Sequence, residues 1–227
     1  MPSAIVAEGD TDRAVIHAIT GLEVPPEPGV FGRDNAIRLA AVAAKQLNRQ
    51  IVLVLDTNGF TSEQIDKEVA ADVAKIWGGP PPRHGPWFLH APTSSAVRVV
   101  IAGLPNDATL KELGVVSHAI DDYLLLLCLD PEAIDEYCTR ENLAHRPRAA
   151  ELRALLDDLA ARLRARGVTM DSSKRYLDII RAIVGFQASR AKFAADLIGR
   201  CPAGTRTRLF KTLAEQILND PPLSFAA

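Results

Sequence analysis

Cysteine is scarce in this chain, with only Cys128, Cys138 and Cys201 among 227 residues. An odd number without CxxC spacing supports neither a disulfide framework nor a thiolate zinc site, and it points to a reducing compartment. Long apolar runs are missing too. The most apolar stretch, Tyr123 to Leu129, falls far short of the roughly 18 residues that a membrane span requires. The opening MPSAIVAEGD has no basic region followed by an apolar segment, so the expected location is cytoplasmic and no membrane contact is expected. The histidines at 17, 84, 90, 118 and 145 show no HxxxH spacing, and each reads as surface or satisfied core; His118 stands out only because it lies beside an acidic pair. There is no GxxxxGK[ST] loop, so the chain carries no P-loop ATPase site of its own.

What is present suits a globular protein. Hydrophobic residues make up 48% and charged residues 24%, which excludes wholesale disorder. The length allows one large domain, or one domain with a helical extension. Charge of one sign is absent overall, at a net −2, but not locally. Residues 1–139 carry 10 Lys and Arg against 19 Asp and Glu, whereas residues 140–227 carry 16 against 9. That asymmetry fits an acidic metal-binding half beside a basic phosphate-binding surface, and equally fits two halves that attract one another.

Hydrophobic periodicity orders the N-terminal half. Ser3 to Ala7 is a short apolar strand ending in Glu8-Gly9, and Thr11 to Thr20 has helical spacing. Ala36 to Asn48 repeats apolar residues at intervals of three and four, with Asp34 as its N-cap. Ile51 to Leu55 is continuously apolar and β-branched, the pattern of a strand covered on both faces in a parallel sheet. A turn at Thr57-Asn58-Gly59, a helix over 61–76 capped by Thr61 or Ser62, a Gly/Pro-rich loop over 78–86 and a third strand, Val97 to Ile101, follow. The expected fold is therefore α/β, an open and mostly parallel sheet flanked by helices. From Ser117 onward only helices are expected, over about 117–129, 131–142, 148–166, 173–188, 190–199 and 205–218. Within 148–166, Leu152, Leu155, Leu156, Leu159 and Leu163 should share the buried face.

If the first two strands are parallel neighbours, Glu8 and Asp56 both end at the carboxyl edge, where open α/β sheets place their sites. Asp12 lies one turn into the next helix, so three oxygen donors should converge. That donor set favours Mg²⁺ or Mn²⁺ over zinc. Each residue also has an ordinary structural reading: Asp12 as a favourable charge at a helix start, Asp56 and Asn58-Gly59 as turn formers, Asp121-Asp122 as a solvated first turn.

Glu8-Gly9-Asp10-Thr11-Asp12 matches the EGxxD element of TOPRIM domains, and Asp56-Thr57-Asn58-Gly59 sits where those domains have DxD. The chain resembles the small standalone TOPRIM proteins related to the nuclease domains of the OLD (overcoming lysogenization defect) group. VRVVIAGLP (97–105) and SHAIDDYLL (117–125) are similar to the family's strand with its proline-ending loop and to its later acidic-hydrophobic helix, where Asp121 or Asp122 falls at the position of a glutamate. Ser173-Lys174 resembles the family's serine-lysine pair. The resemblance implies a TOPRIM-like domain over residues 1–130 and a helical extension over 131–227. It implies metal-assisted phosphodiester chemistry, with Glu8 as general acid/base or metal ligand, Asp12, Asp56, Asn58 and one of Asp121 or Asp122 completing the site, and Lys174 neutralising the phosphate. Asn58 departs from the second DxD carboxylate, which weakens any second metal ion. The expected function is a Mg²⁺- or Mn²⁺-dependent nuclease or phosphodiesterase acting on nucleic acid, partnered by a separate ATPase chain if it works as the OLD group does. The competing expectation is a non-catalytic TOPRIM scaffold that uses its acidic cluster for metal binding or partner docking.

Overall fold

Ile51 to Leu55, apolar at every position, forms the middle of a parallel core. In the computed structural model, which describes residues 4–24, 32–90, 93, 95–140 and 147–218, the chain divides into two compact units. One comprises Met1–Ala102 with Thr212–Ala227, and the other Gly103–Lys211. The expected boundary near residue 130 falls inside the second unit.

The first unit runs β1 (Ala4–Ala7), α1 (Asp10–Thr20), α2 (Arg33–Leu47), β2 (Gln50–Asp56), α3 (Ser62–Trp77), β3 (Arg83–His84), β4 (Trp87–Leu89) and β5 (Ala96–Ala102). These strands form one open sheet in the order β1-β2-β5-β4-β3. β1, β2 and β5 are parallel, with Ala7 opposite Val54 and Asp56 opposite Ala102, while β4 and β3 add an antiparallel margin. Ile51, Leu53, Leu55, Val97 and Val99 face a core closed by Ile37, Ala40 and Ala44 of α2 and Ile65, Val69 and Val73 of α3. Each fully buried Ile, Leu or Val side chain there contributes about 1.5–3 kcal/mol relative to exposure.

The helices start where local chemistry allows. Of the two caps expected there, Thr61 or Ser62, it is Thr61 that caps α3, in a capping box with Gln64. Asp34 does not cap α2; it lies in the first turn, and Gly32 is the N-cap. Gly32 adopts φ 85 and ψ 164, a region essentially reserved for glycine, and its N–H donates to the Glu8 carbonyl at 3.0 Å. That bond ties the start of α2 to the end of β1. The β3–β4 hairpin lies in and just after what reads as a Gly/Pro-rich loop. Trp87 and Phe88 are buried there, and the Leu89 N–H donates to the Pro82 carbonyl at 2.8 Å.

The second unit contains α4 (Ala108–Leu113), α5 (Asp121–Cys128), α6 (Pro131–Arg140), α7 (Ala149–Ala165), α8 (Ser173–Ile183), α9 (Arg190–Arg200) and the first part of α10 (Ala203–Leu218). α4 is too short for periodicity to reveal, and Asp107 caps it by accepting from the Leu110 N–H. α5 packs against α8 and α9, α6 against α9. Leu155 departs from the expected buried face of α7 and is 49% exposed, whereas Leu152 and Leu156 are buried. The only strand-like feature described in this unit is an isolated parallel bridge between Ser117 and Ser172. No helix among the described residues is long and apolar enough to cross a membrane.

Candidate functional site

The carboxyl edge of the parallel core gathers the first cluster. Glu8 is the residue after β1 and Asp56 the last of β2, so parallel pairing of these neighbours sets both at one edge. The Glu8 carboxylate turns toward β2: its Oε1 accepts from the Asp56 N–H at 3.0 Å. Glu8 is only 9% exposed and Asp12 only 7%. Asp12 lies in the first turn of α1, and its Oδ2 is 3.5 Å from where a Cβ on Gly9 would stand, so its carboxylate folds back toward the Glu8-Gly9 turn. Asn58 is exposed and left-handed (φ 46) in the turn after Asp56, the conformation its turn-forming reading requires.

Arg33 is the residue that sequence reasoning missed. It opens α2, and its guanidinium is nearly buried among the groups at this edge. Nη2 donates to the carbonyls of Asp56 at 2.7 Å and Thr57 at 3.2 Å, Nη1 donates to Glu68 Oε2 at 3.2 Å, and Nε lies 3.6 Å from Glu8 Oε1. The guanidinium carbon also sits 4.6 Å from the centroid of the Phe60 ring. No local pattern announces this role, because Glu8 and Asp56 are remote from Arg33 in the chain and reach it only through the crossover that brings α2 back to the sheet.

Burial pushes the Glu8 carboxyl above its ordinary value, and the Asp56 N–H and the Arg33 charge only partly offset it. Burial thus disfavours the charged form of Glu8 at this edge. As donors, Glu8, Asp12 and Asp56 are hard oxygen ligands of the kind Mg²⁺ and Mn²⁺ take. Among the described residues, however, no group of three or more His, Cys, Asp or Glu side chains is placed to hold an ion, so the expected convergence of three carboxylates is not formed. The donor set suits an ion held by one or two carboxylates that keeps most of its water, the usual habit of Mg²⁺.

The second cluster is built on the other residues that the resemblance named, and it lies within the second unit. Asp121 and Asp122 open α5, but neither is in a solvated first turn: Asp121 is 6% exposed and Asp122 fully buried. Asp122 is a hub. Its Oδ2 accepts from the Leu104 N–H at 2.8 Å and lies 2.9 Å from His118 Nδ1, and its Oδ1 accepts from the Ser173 hydroxyl. Gly103 makes room for this arrangement with φ 120, since a Cβ there would stand 3.0 Å from the His118 Cβ. Asp121 differs: its Oδ1 is buried without a hydrogen-bond partner, and burial raises its carboxyl from 3.8 to about 6 against the opposing charges of Arg190 and Lys174. Lys174 itself is exposed at the start of α8. His118 and Ser173 were thus legible as neighbours of the motif residues, while their shared attachment to Asp122 was not.

Comparison of the chain with protein-family models, with curated proteins and with solved structures finds no match.

Proposed function

We propose that the chain is a TOPRIM-like, divalent-metal-dependent nuclease or phosphodiesterase acting on nucleic acid. One observation carries the reading: the glutamate of an EGxxD sequence and the aspartate ending the adjacent parallel strand meet at the carboxyl edge, where the Glu8 carboxylate accepts from the Asp56 N–H at 3.0 Å. Open α/β sheets bind ligands at that edge.

Glu8 and Asp56 would hold a Mg²⁺ or Mn²⁺ ion that keeps most of its water and that, when bound, polarises a phosphate and lowers the pKa of water. The chain's own contribution is positioning and proton handling. The Asp56 N–H and Arg33 orient the Glu8 carboxylate, whose pKa burial raises, and the resemblance gives that carboxylate the part of general acid/base or metal ligand. In the second unit, Lys174 and Asp121 are assigned to the phosphate and to proton or metal binding by the resemblance. Asp122 has a different part, since both its oxygens are occupied within the protein.

Purified protein incubated with single- and double-stranded DNA and RNA, under Mg²⁺, Mn²⁺ or chelator, tests the proposal. Metal-dependent cleavage that falls by about 100-fold or more in Glu8→Gln and in Asp56→Asn is the expected result. Cleavage unchanged in both variants would sink it.

A second reading, a non-catalytic TOPRIM scaffold, is favoured by Arg33, whose buried guanidinium already supplies Glu8 with a counter-charge. In that case Mg²⁺ raises the melting temperature without any turnover.

A further inference from the structure

Phe60 is the one aromatic residue among the exposed large hydrophobic side chains described, and it is 49% exposed. It stands four residues beyond Asp56, in the turn that leaves the carboxyl edge. An exposed phenylalanine is ordinarily free to swing, but this one is held. Its N–H donates to the Thr57 carbonyl at 2.8 Å, closing a turn through left-handed Asn58 and Gly59. The next residue, Thr61, is locked into the capping box of α3. The ring itself lies on the Arg33 guanidinium at 4.6 Å from its centroid, and that guanidinium is fixed by Glu68 and by the Asp56 and Thr57 carbonyls. A cation–π contact to a buried arginine restrains the ring and leaves the remainder of its surface in water.

From this we infer that Phe60 is a stacking platform for an unpaired nucleobase, and that the proposed substrate is a single strand or an unpaired end. The inference rests on the nucleic-acid reading above and narrows it. Bases have π faces whatever their identity, so a pre-ordered aromatic ring beside a carboxylate edge takes any of them, and it does so with little ordering cost. A base within a duplex has both faces covered by its neighbours and offers nothing to such a ring. Arg33 is spent on the protein, so it backs the ring and leaves the phosphate to other groups.

The test measures binding by fluorescence anisotropy with labelled oligothymidylate, the matching RNA and a blunt duplex, under chelator and with Ca²⁺, alongside the cleavage assay. Phe60→Ala should weaken single-strand binding by about 10-fold or more and leave duplex binding unchanged. Phe60→Trp should bind single strands at least as well as wild type, and its added emission should be quenched by oligothymidylate, with the native Trp77 and Trp87 of the wild-type protein as the control. Equal binding by Phe60→Ala and wild type, with no quenching in Phe60→Trp, would overturn the platform. If wild type cleaves and Glu8→Gln does not, yet Phe60→Ala binds normally, the platform alone fails. If wild type neither binds nor cleaves any of the probes, both readings fall together. Because the side chain is half exposed, Phe60→Ala should fold, and melting near wild type confirms that a binding loss is local.

Discussion

Glu8 and Asp122 are both buried carboxylates, and their surroundings differ in kind. Asp122 accepts from a backbone N–H and a serine hydroxyl and lies within bonding distance of a histidine nitrogen, all inside one helical unit. Three of its roughly four acceptor sites are engaged within the protein. Glu8 has one oxygen engaged by the Asp56 N–H and a guanidinium 3.6 Å away, at the open end of a sheet. Its charge is matched only in part, since burial still raises its pKa. The two acids thus differ in their attachments: one knots three segments of the chain together, the other is held at a sheet edge by one backbone N–H and a nearby guanidinium. The lesson is that a buried acid signals function by the capacity it keeps, and burial alone does not distinguish the two.

The largest expected effect breaks the knot. Asp122→Ala strands the Leu104 N–H, His118 Nδ1 and the Ser173 hydroxyl in a dry interior, and should cost about 3–5 kcal/mol of stability, read as a lowered midpoint in urea. Asp122→Asn keeps one acceptor and should cost less. If Asp122→Ala melts like wild type, Asp122 is no structural hub and its contrast with Glu8 disappears.

Next in size is the guanidinium at the sheet edge. Arg33→Met preserves most of the side-chain volume but leaves Glu8 without its counter-charge and the Asp56 and Thr57 carbonyls without their shared donor. The expected loss is about 2–3 kcal/mol at pH 7. It should shrink toward pH 4, because Glu8 and Glu68, once protonated, no longer need a cation. The pH dependence is the sharper half of the measurement: a loss equal at both pH values would mean that Arg33 acts only through the carbonyls.

These contrasts also mark how far the sequence could be read. The α/β architecture was legible because Ile51 to Leu55 is apolar at every position and the stretches flanking it switch to helical spacing. The edge location of Glu8 and Asp56 followed from strand ends alone. Arg33 was not legible, since a side chain whose partners lie across a crossover leaves no local pattern. The β3–β4 hairpin was hidden by its own Gly and Pro residues, and the N-cap of α2 is Gly32, whose positive φ and bond to the Glu8 carbonyl no local pattern announces. The acidic pair of α5 was visible, but its burial depends on α8 and α9 closing over it, which no window around residue 121 contains.

Asp121 gives the smallest and most diagnostic effect, because it is the one member of the second cluster that resembles Glu8. Its Oδ1 is buried without a partner, and burial lifts its carboxyl from 3.8 to about 6. A carboxyl whose folded value is raised makes the native state bind the extra proton, so it stabilises the fold at pH below 3.8 relative to neutrality, and that advantage is lost as pH climbs to about 6. Asp121→Asn removes this dependence. Its stability should be flatter across that window than that of wild type and higher at pH 7 by about 1–2 kcal/mol, less than the full linkage because the amide still buries an unpaired oxygen. Urea midpoints at pH 4 and pH 7 for the two proteins measure it directly. A variant less stable than wild type at pH 7 would mean that the ionised Asp121 is held by Arg190 and Lys174 more strongly than burial penalises it, which would move Asp121 from the side of Glu8 to the side of Asp122.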